Sequence, residues 1–527
     1  MANSTAERQI VSLKIVHTSD VHGSFFMRDY VNNHAVRGSL SRVYAYVQSL
    51  RKVYGKRLLL MDGGDILQGS PVVYYSNFVA SSGKNLAAEI MNYMAYDVGA
   101  MGNHDIETGH AVYDRWIKQC DFPVLGANII DNATGKPYLK PYEVLERDGV
   151  RIAVLGMITP AIPSWLPEKL WSGLHFEEME PCARKWVKII KEKENPDVIV
   201  GLFHAGKSGN VLGQVVEDAS MDVAKRVSGF DVVLMGHDHT RECVKVQNVA
   251  GDSVLVIDPA NNANVVSDVT LTVTKKDGKV VEKSVEGRLA DMNKYPVSRE
   301  FMDKFAPQYK AVNDFVSRKI GTISRTITAK DAYFGSSPFI DLIHQLQLEI
   351  SGAEVSFCAP LSFRAEIKEG DIYVSDMFNL YKYENMLYVM ELSGKEIKGF
   401  LEMAYAIWTN QMKSSEDHLM LFKEPVEKGK RANFKNFSFN FDSAAGINYT
   451  VDVTKPAGEK ITIQSMSDGT PFSMDKVYKV ALNSYRGNGG GDLLTLGAGI
   501  SKEDLAKRII FATDKDLRYY LMQYIEQ

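Results

Sequence analysis

Cysteine is scarce in this 527-residue chain, and Cys120, Cys182, Cys243 and Cys358 lie far apart with no short paired spacing. That pattern excludes a disulfide scaffold and a cysteine-based zinc site, and leaves four isolated, buried thiols as the expectation. Long hydrophobic runs are missing too. No stretch of about 18 apolar residues is present to span a bilayer, and the start MANSTAERQIVSLKIVHTSD lacks the apolar core of a secretory signal. A Met-Ala start is equally compatible with the removal of an export signal. An excess of positive charge is also absent, since 61 Lys plus Arg face 65 Asp plus Glu for a formal net charge of -4. Such a balance is not built to neutralise a long phosphate backbone, so polymeric nucleic acid is not an expected partner. Neither a repeat nor a low-complexity segment stands out, which excludes solenoid architectures.

What is present is the mixture of a globular protein, 45% hydrophobic, 24% charged and 10% aromatic. A chain of this length forms more than one hydrophobic core. Over the first 290 or so residues, short apolar runs alternate with amphipathic segments. LKIVHTSD, RLLLMDGGD, VGAMGNHD, VRIAVLGMITP, DVIVGLFHAG and FDVVLMGHDH each read as a buried strand ending in a polar turn, with helices over Leu40 to Val53, Asn85 to Ala95 and Pro181 to Lys193. This is an α/β layered pattern. From Val244 to Gly287 strand-like alternation takes over, with Asp277-Gly278 as a hairpin turn.

Apolar spacing predicts a helical connector from Ser298 to Lys319, kinked or restarted at Pro307. Beyond Gly321 helices are expected over Phe339 to Ile350, Gly394 to Trp408 and Asp514 to Gln523. Strands are expected over Lys435 to Asp442, Asn448 to Thr454 and Val477 to Tyr485, with a surface loop from Met412 to Asn436.

Five polar clusters stand at the ends of predicted strands: Asp20-Val21-His22-Gly23, Gly64-Asp65, Gly102-Asn103-His104-Asp105, His204-Ala205-Gly206 and Gly236-His237-Asp238-His239. A single His at a strand end is more often a hydrogen-bonded residue than a ligand. Five clusters along one sheet edge are a different matter, because polar residues at the carboxyl ends of strands gather there. They offer carboxylate, imidazole and amide groups with almost no thiolate, a mixture that suits borderline and hard divalent ions such as Zn2+, Mn2+ or Fe2+. On a strand, Asp20 with His22, and His237 with His239, would share a side, so that each pair could serve one ion.

These clusters, in order, resemble the signature of the calcineurin-like metallophosphoesterases, D-x-H, G-D, G-N-H-D/E, H and G-H-x-H. The resemblance implies one metal held by Asp20, His22 and His239, a second held by Asn103, His204 and His237, and Asp65 bridging both. Two such cations about 3.5 to 4 Å apart acidify a water and stabilise the attacking and leaving oxygens of an in-line displacement at phosphorus. His104, not needed as a ligand, is placed to stabilise the transition state or protonate the leaving oxygen. In the related 5'-nucleotidases an Asp three residues on orients this His. Here that position is Glu107, and Asp105 is the other candidate partner.

The second half is similar to the 5'-nucleotidase family, and more closely to its 2',3'-cyclic-nucleotide 2'-phosphodiesterase/3'-nucleotidase branch. The matching stretches are Tyr381-Lys382-Tyr383-Glu384-Asn385 before Ser393-Gly394-Lys395-Glu396, Phe439-Asn440-Phe441-Asp442 with Gly446-Ile447-Asn448-Tyr449, and Asn483-Ser484-Tyr485-Arg486 before the glycines. The resemblance implies that Tyr383 and Tyr485 sandwich a base, with Asn385, Asp492 and Arg364 as further substrate contacts. Three glycines, Gly489 to Gly491, replace the usual pair, and Pro-Leu-Ser-Phe precedes Arg364 where the family has glycines.

The implied fold is a four-layer α/β/β/α sandwich over residues 10–292, a helical linker or hinge over 293–320, and a C-terminal α/β (α+β) substrate-binding domain over 321–527. The implied activity is that of a dimetal nucleotide phosphoesterase acting on 2',3'-cyclic and 3'-nucleotides, with a 5'-nucleotidase or nucleotide-sugar hydrolase as the alternative. Two divalent ions such as Zn2+ or Mn2+, a small nucleotide substrate, no membrane span, a monomer or dimer, and a periplasmic or cell-surface site complete the expectation.

Overall fold

The computed structural model describes residues 8–527. Two compact units emerge, one running to Ile162 and from Glu168 to Phe315, the other comprising Pro163–Pro167 and Val316–Gln527. Among the described residues no helix is long and apolar enough to cross a membrane.

The first unit is built on two six-stranded sheets. One runs in the order Lys279–Asp291, Val265–Lys276, Arg8–Thr18, Leu58–Asp62, Val98–Ala100, Val124–Leu125, and the other Arg241–Gln247, Ser253–Pro259, Val232–Met235, Val198–His204, Val150–Ile158, Tyr142–Arg147. Period-two alternation assigns the faces. Val11, Leu13 and Ile15 of the first sheet meet Val150, Ile152, Val154, Val198, Val200 and Leu202 of the second in one apolar layer. The intervening residues Ala153, Leu155, Met157, Ile199 and Phe203 face outward onto helix Met179–Glu194 through Cys182, Ala183, Val187 and Ile190. Helix Leu40–Tyr54 packs against the first sheet. The result is the four-layer α/β/β/α sandwich that the sequence implies. Each fully buried aliphatic side chain in it contributes roughly 1.5 to 3 kcal/mol.

Four neighbouring strands in each sheet are parallel. Their carboxyl ends therefore share one edge, and five of them lead directly into the polar clusters. Asp277 and Gly278, at φ 51° and 75°, form the expected hairpin turn with both central residues left-handed.

The connector is two helices rather than one. Ser298 caps Arg299–Lys304 by accepting the Phe301 N–H, and Ala306–Val316 restarts with Pro307 in its first turn, where a missing N–H costs nothing. Phe301 packs on Tyr44, Tyr309 on Phe26 and Tyr30, and Phe315 on Tyr75, so these helices are part of the first unit's packing.

The second unit carries a five-stranded sheet in the order Ser443–Ala445, Val355–Cys358, Val477–Asn483, Met386–Ser393, Ile509–Asp516. Helix Gly394–Trp408 starts where Ser393 and Glu396 satisfy each other's backbone N–H groups in a capping box, and its Phe400 stacks on Phe357 at 3.9 Å.

Three expectations are corrected. Lys435 to Asp442 is not a strand but an irregular segment with a single turn at Ser438–Asn440, because the Arg486 guanidinium takes the Phe439 carbonyl that a ladder would need and also binds the side-chain amide oxygen of Asn440. The last helix is Leu517–Glu526, since Asp514 to Asp516 finish the preceding strand and Asp516 caps the helix. The four cysteines are all free thiols, but only Cys182 and Cys358 are buried; Cys243 is exposed because the edge strand Arg241–Gln247 turns that side to solvent.

Candidate active site

The Asp20, Asp65 and His237 clusters sit in turns rather than on strands, whereas Asn103 opens the short helix Asn103–Glu107 and His204 ends the strand Val198–His204. Asp20, His22, Asp65, His237 and His239 have φ of 53°, 49°, 58°, 80° and 57°. A left-handed backbone at a non-glycine residue costs on the order of 1 to 3 kcal/mol and persists only where the surroundings dictate it. Here the loops brace one another, as Asp20 N–H donates to Gly64 O and His22 N–H to Asp65 O, both at 2.9 Å. Glycines make the close approach possible, since a Cβ on Gly102 would stand 2.1 Å from Asp65 Oδ1 and one on Gly236 2.2 Å from Ser19 Oγ.

These turns bring together two groups that could each hold an ion, Asp20 with His22 and His239, and Asp65 with His204 and His237. The expectation that His237 and His239 serve one ion because they are two apart is therefore corrected. The left-handed turn sends them to different groups. Asn103 belongs with the second, its Oδ1 lying 3.0 Å from His204 Nε2 and 2.9 Å from His237 Nδ1. Asp65 stands between the groups, with Oδ2 3.1 Å from His204 Nε2 and 3.9 Å from His22 Nε2.

The donor set fits cations. Asp20 Oδ1 and Asp65 Oδ2 are buried without a hydrogen-bond partner, and such orphaned anionic oxygens are costly unless a positive charge meets them. His22 Nδ1 donates to Gln68 O at 2.9 Å and His204 Nδ1 to Gly63 O at 2.7 Å, so each ring offers its Nε2 lone pair to the centre. His22 Nε2 and His239 Nε2 face each other at 3.1 Å. Burial pushes His22 down to about 4, which keeps it in the neutral, ligating form. Burial would depress His204 as well, but the adjacent Asp65 and Asp20 carboxylates raise it to about 10, so without a cation a proton on Nε2 supplies the positive charge that this spot demands, and a cation would take that proton's place.

His104 lies beside this cluster, its ring edge-on to His22 at 5.5 Å. Its backbone N–H donates to Asp65 Oδ1 at 2.8 Å and its Nδ1 to Glu107 Oε2 at 2.5 Å. Between the two candidate partners the structure sets Glu107 against the ring. Asp105 is committed elsewhere, its carboxylate accepting the N–H groups of Asp65, Ile66, Leu67 and Gly102 at 2.8 to 2.9 Å. It shapes the turn that presents Asp65.

In the second unit Tyr485 follows strand Val477–Asn483, and Gly490 lies so close that a Cβ there would be 2.5 Å from the ring. The Phe439 ring lies against Tyr485, at 6.2 Å and nearly perpendicular. The sequence places Phe439 in a matching stretch but gives it no role, and the structure puts it between the exposed Phe437 and the buried Phe441. Arg486, fully buried, locks this corner by pairing with Asp442 at 2.7 Å and donating to Asn440 Oδ1 and Phe439 O, each at 3.0 Å. Asp492 is exposed at φ 61° beyond the glycines, and the Thr495 hydroxyl donates to it at 3.2 Å. Tyr383 is half-buried under the Lys382 ammonium, on a loop pinned by Arg518, which pairs with Glu384 at 3.0 Å and takes the Tyr381 and Lys382 carbonyls. Asn385 is buried, with its amide toward the Tyr381 hydroxyl at 3.4 Å, and Arg364 is exposed.

The calcineurin-like phosphoesterase family model matches residues 13–241, and the model of the 5'-nucleotidase C-terminal domain matches 319–497. The chain joins a calcineurin-like phosphoesterase domain to a 5'-nucleotidase C-terminal domain. It is a phosphate-ester hydrolase. It is 26% identical to the 2',3'-cyclic-nucleotide 2'-phosphodiesterase/3'-nucleotidase of Yersinia enterocolitica over all of this chain and 86% of that protein. It is 25% identical to the trifunctional nucleotide phosphoesterase YfkN of Bacillus subtilis, over 98% of this chain but only 38% of that longer protein. A candidate 5'-nucleotidase of Staphylococcus aureus, crystallised with α-ketoglutarate, shares the fold with a TM-score of 0.80 at 22% identity, over 98% of this chain and 97% of that one.

Proposed function

We propose that this hydrolase acts on nucleotides with two divalent ions, opening 2',3'-cyclic nucleotides to 3'-nucleotides and cleaving these to nucleoside and phosphate. The observation that carries the reading is the convergence of two nitrogen-and-oxygen ligand groups on Asp65, with the His104–Glu107 pair alongside. Asp20, His22 and His239 would hold one ion, Asn103, His204 and His237 the other, and Asp65 would bridge them. When bound, the ions acidify a water and draw charge from the phosphoryl oxygens.

The chain's own groups do the rest. Glu107 fixes the Nδ1–H tautomer of His104, which leaves Nε2 as the atom that holds and delivers a proton to the leaving oxygen. Tyr485 presents a ring for base stacking, with Tyr383 as its implied partner and Phe439 as the ring beside it. Stacking on an aromatic contributes on the order of 1 to 3 kcal/mol per base and tolerates any base, so broad base specificity follows. In this reading the enzyme serves nucleotide catabolism in the periplasm or at the cell surface, as the resemblance implies.

A 5'-nucleotidase reading draws on two observations, the carboxylate three residues after His104 that is bonded to it, and Asp492 directly after the glycines. Release of phosphate and nucleoside from 2',3'-cyclic AMP, 3'-AMP, 5'-AMP and a nucleotide sugar, measured with Mn2+ and with a chelator, decides between them. Turnover of the first two is the expected result. Dominant hydrolysis of the last two would assign the chain to the alternative.

A further inference from the structure

Between His204 and helix Ser220–Arg226 the chain forms a small hairpin, Gly209–Leu212 paired with Val215–Asp218, which no sequence motif marks. Its closing end folds back onto the site. Glu217, 9% exposed, places Oε1 2.8 Å from His237 Nε2. A carboxylate can only accept, so His237 donates its Nε2–H to Glu217, and the lone pair is left on Nδ1, the atom that faces Asn103 Oδ1 at 2.9 Å. Glu217 is itself held in place. Its backbone carbonyl accepts the Thr159 hydroxyl at 2.8 Å, its Oε2 accepts the Asn210 amide, and the neighbouring Asp218 accepts the Gly206 N–H at 2.7 Å.

We infer that Glu217 is a positioning residue for His237. It selects the tautomer that turns Nδ1 toward the second ion and raises the basicity of the ring, and the hairpin exists to carry it there. The inference rests on the dimetal reading above. Partners of this kind typically change metal affinity on the order of ten- to a hundred-fold. A merely structural carboxylate would instead alter stability and leave both affinities alone.

The test is metal content and affinity, measured by plasma mass spectrometry and titration calorimetry with Mn2+ on the full chain stripped of metal. Glu217→Ala is expected to keep one site at wild-type affinity and weaken the other roughly ten- to a hundred-fold. Glu217→Gln, which keeps the shape and an acceptor without the charge, is expected to fall between. Wild-type affinity at both sites in both variants overturns the inference and leaves the dimetal reading intact. Fewer than two ions on the wild-type chain overturns the dimetal reading and this inference with it. Should the Ala variant fail to fold, the Gln variant decides alone, and an unchanged second affinity overturns the inference.

Discussion

Glu107 accepts the Nδ1–H of His104 at 2.5 Å while the backbone N–H of the same histidine donates to Asp65, so one residue couples the proton-transfer ring to the carboxylate between the two ligand groups. His104→Ala should lower kcat on the order of 10² to 10⁴-fold, the usual contribution of a positioned acid or base. Glu107→Gln keeps an acceptor but not its charge and should lower kcat less, with KM nearly constant in both. Steady-state kinetics on 3'-AMP checks the split. A rise in KM at constant kcat would make His104 a binding group instead.

Metal removal should destabilise the first unit. Ions that bind only the folded state add stability by mass action, about 4 kcal/mol per site at a thousandfold excess over Kd. Their loss exposes the unpartnered Asp20 Oδ1 and Asp65 Oδ2 to each other's charge. A chelator is expected to lower the calorimetric Tm, and Mn2+ to restore it. In Asp65→Asn, with the shared negative charge gone, restoration should be weak. An unchanged Tm on chelation would contradict the site's assignment.

The Tyr485 corner should separate base recognition from chemistry. Tyr485→Ala should raise KM for a nucleotide by roughly ten- to a hundred-fold, in keeping with 1 to 3 kcal/mol of stacking, and leave hydrolysis of p-nitrophenyl phosphate, which carries no nucleobase, nearly unchanged. Phe439→Ala should act in the same direction if its ring contributes to stacking. Equal losses on both substrates would point to misfolding or to a role in the chemistry.

The second unit contains an acid-sensitive histidine. His344 is fully buried between Ser356 Oγ at 2.9 Å and Ser443 Oγ at 3.1 Å, and burial pushes it from 6.5 down to about 3. Between those values the unfolded chain binds a proton that the folded one refuses, so the stability is intact above 6.5 and is lost as pH falls toward 3. The slope is about 1.4 kcal/mol per pH unit. Urea unfolding of wild type and His344→Gln at pH 7 and pH 5 should show a smaller acid loss in the variant, by about 2 kcal/mol. Parallel losses would mean that His344 takes up its proton in the folded state.

Much of the first unit was legible because its signals are local and periodic. Val11, Leu13 and Ile15 alternate into the core, and strands such as Val198–His204 end at the residues that matter. Ligand grouping was legible only through the resemblance, because spacing alone put His237 with His239, whereas left-handed turns separate them. What stayed hidden depends on contacts remote in sequence. Glu217 meets His237 through a hairpin without a motif, and Phe439 meets Tyr485 because Arg486 ties two loops together. The Phe437-Phe439-Phe441 alternation reads as a strand until that guanidinium claims its backbone.

The central claim is most directly tested by following 2',3'-cyclic AMP with the Mn2+-loaded protein by phosphorus NMR. The expected course is loss of the cyclic signal, transient 3'-AMP and then inorganic phosphate, all abolished by chelator and strongly slowed in His104→Ala. A cyclic signal that persists with two ions bound, or opening to 2'-AMP that accumulates, would contradict it.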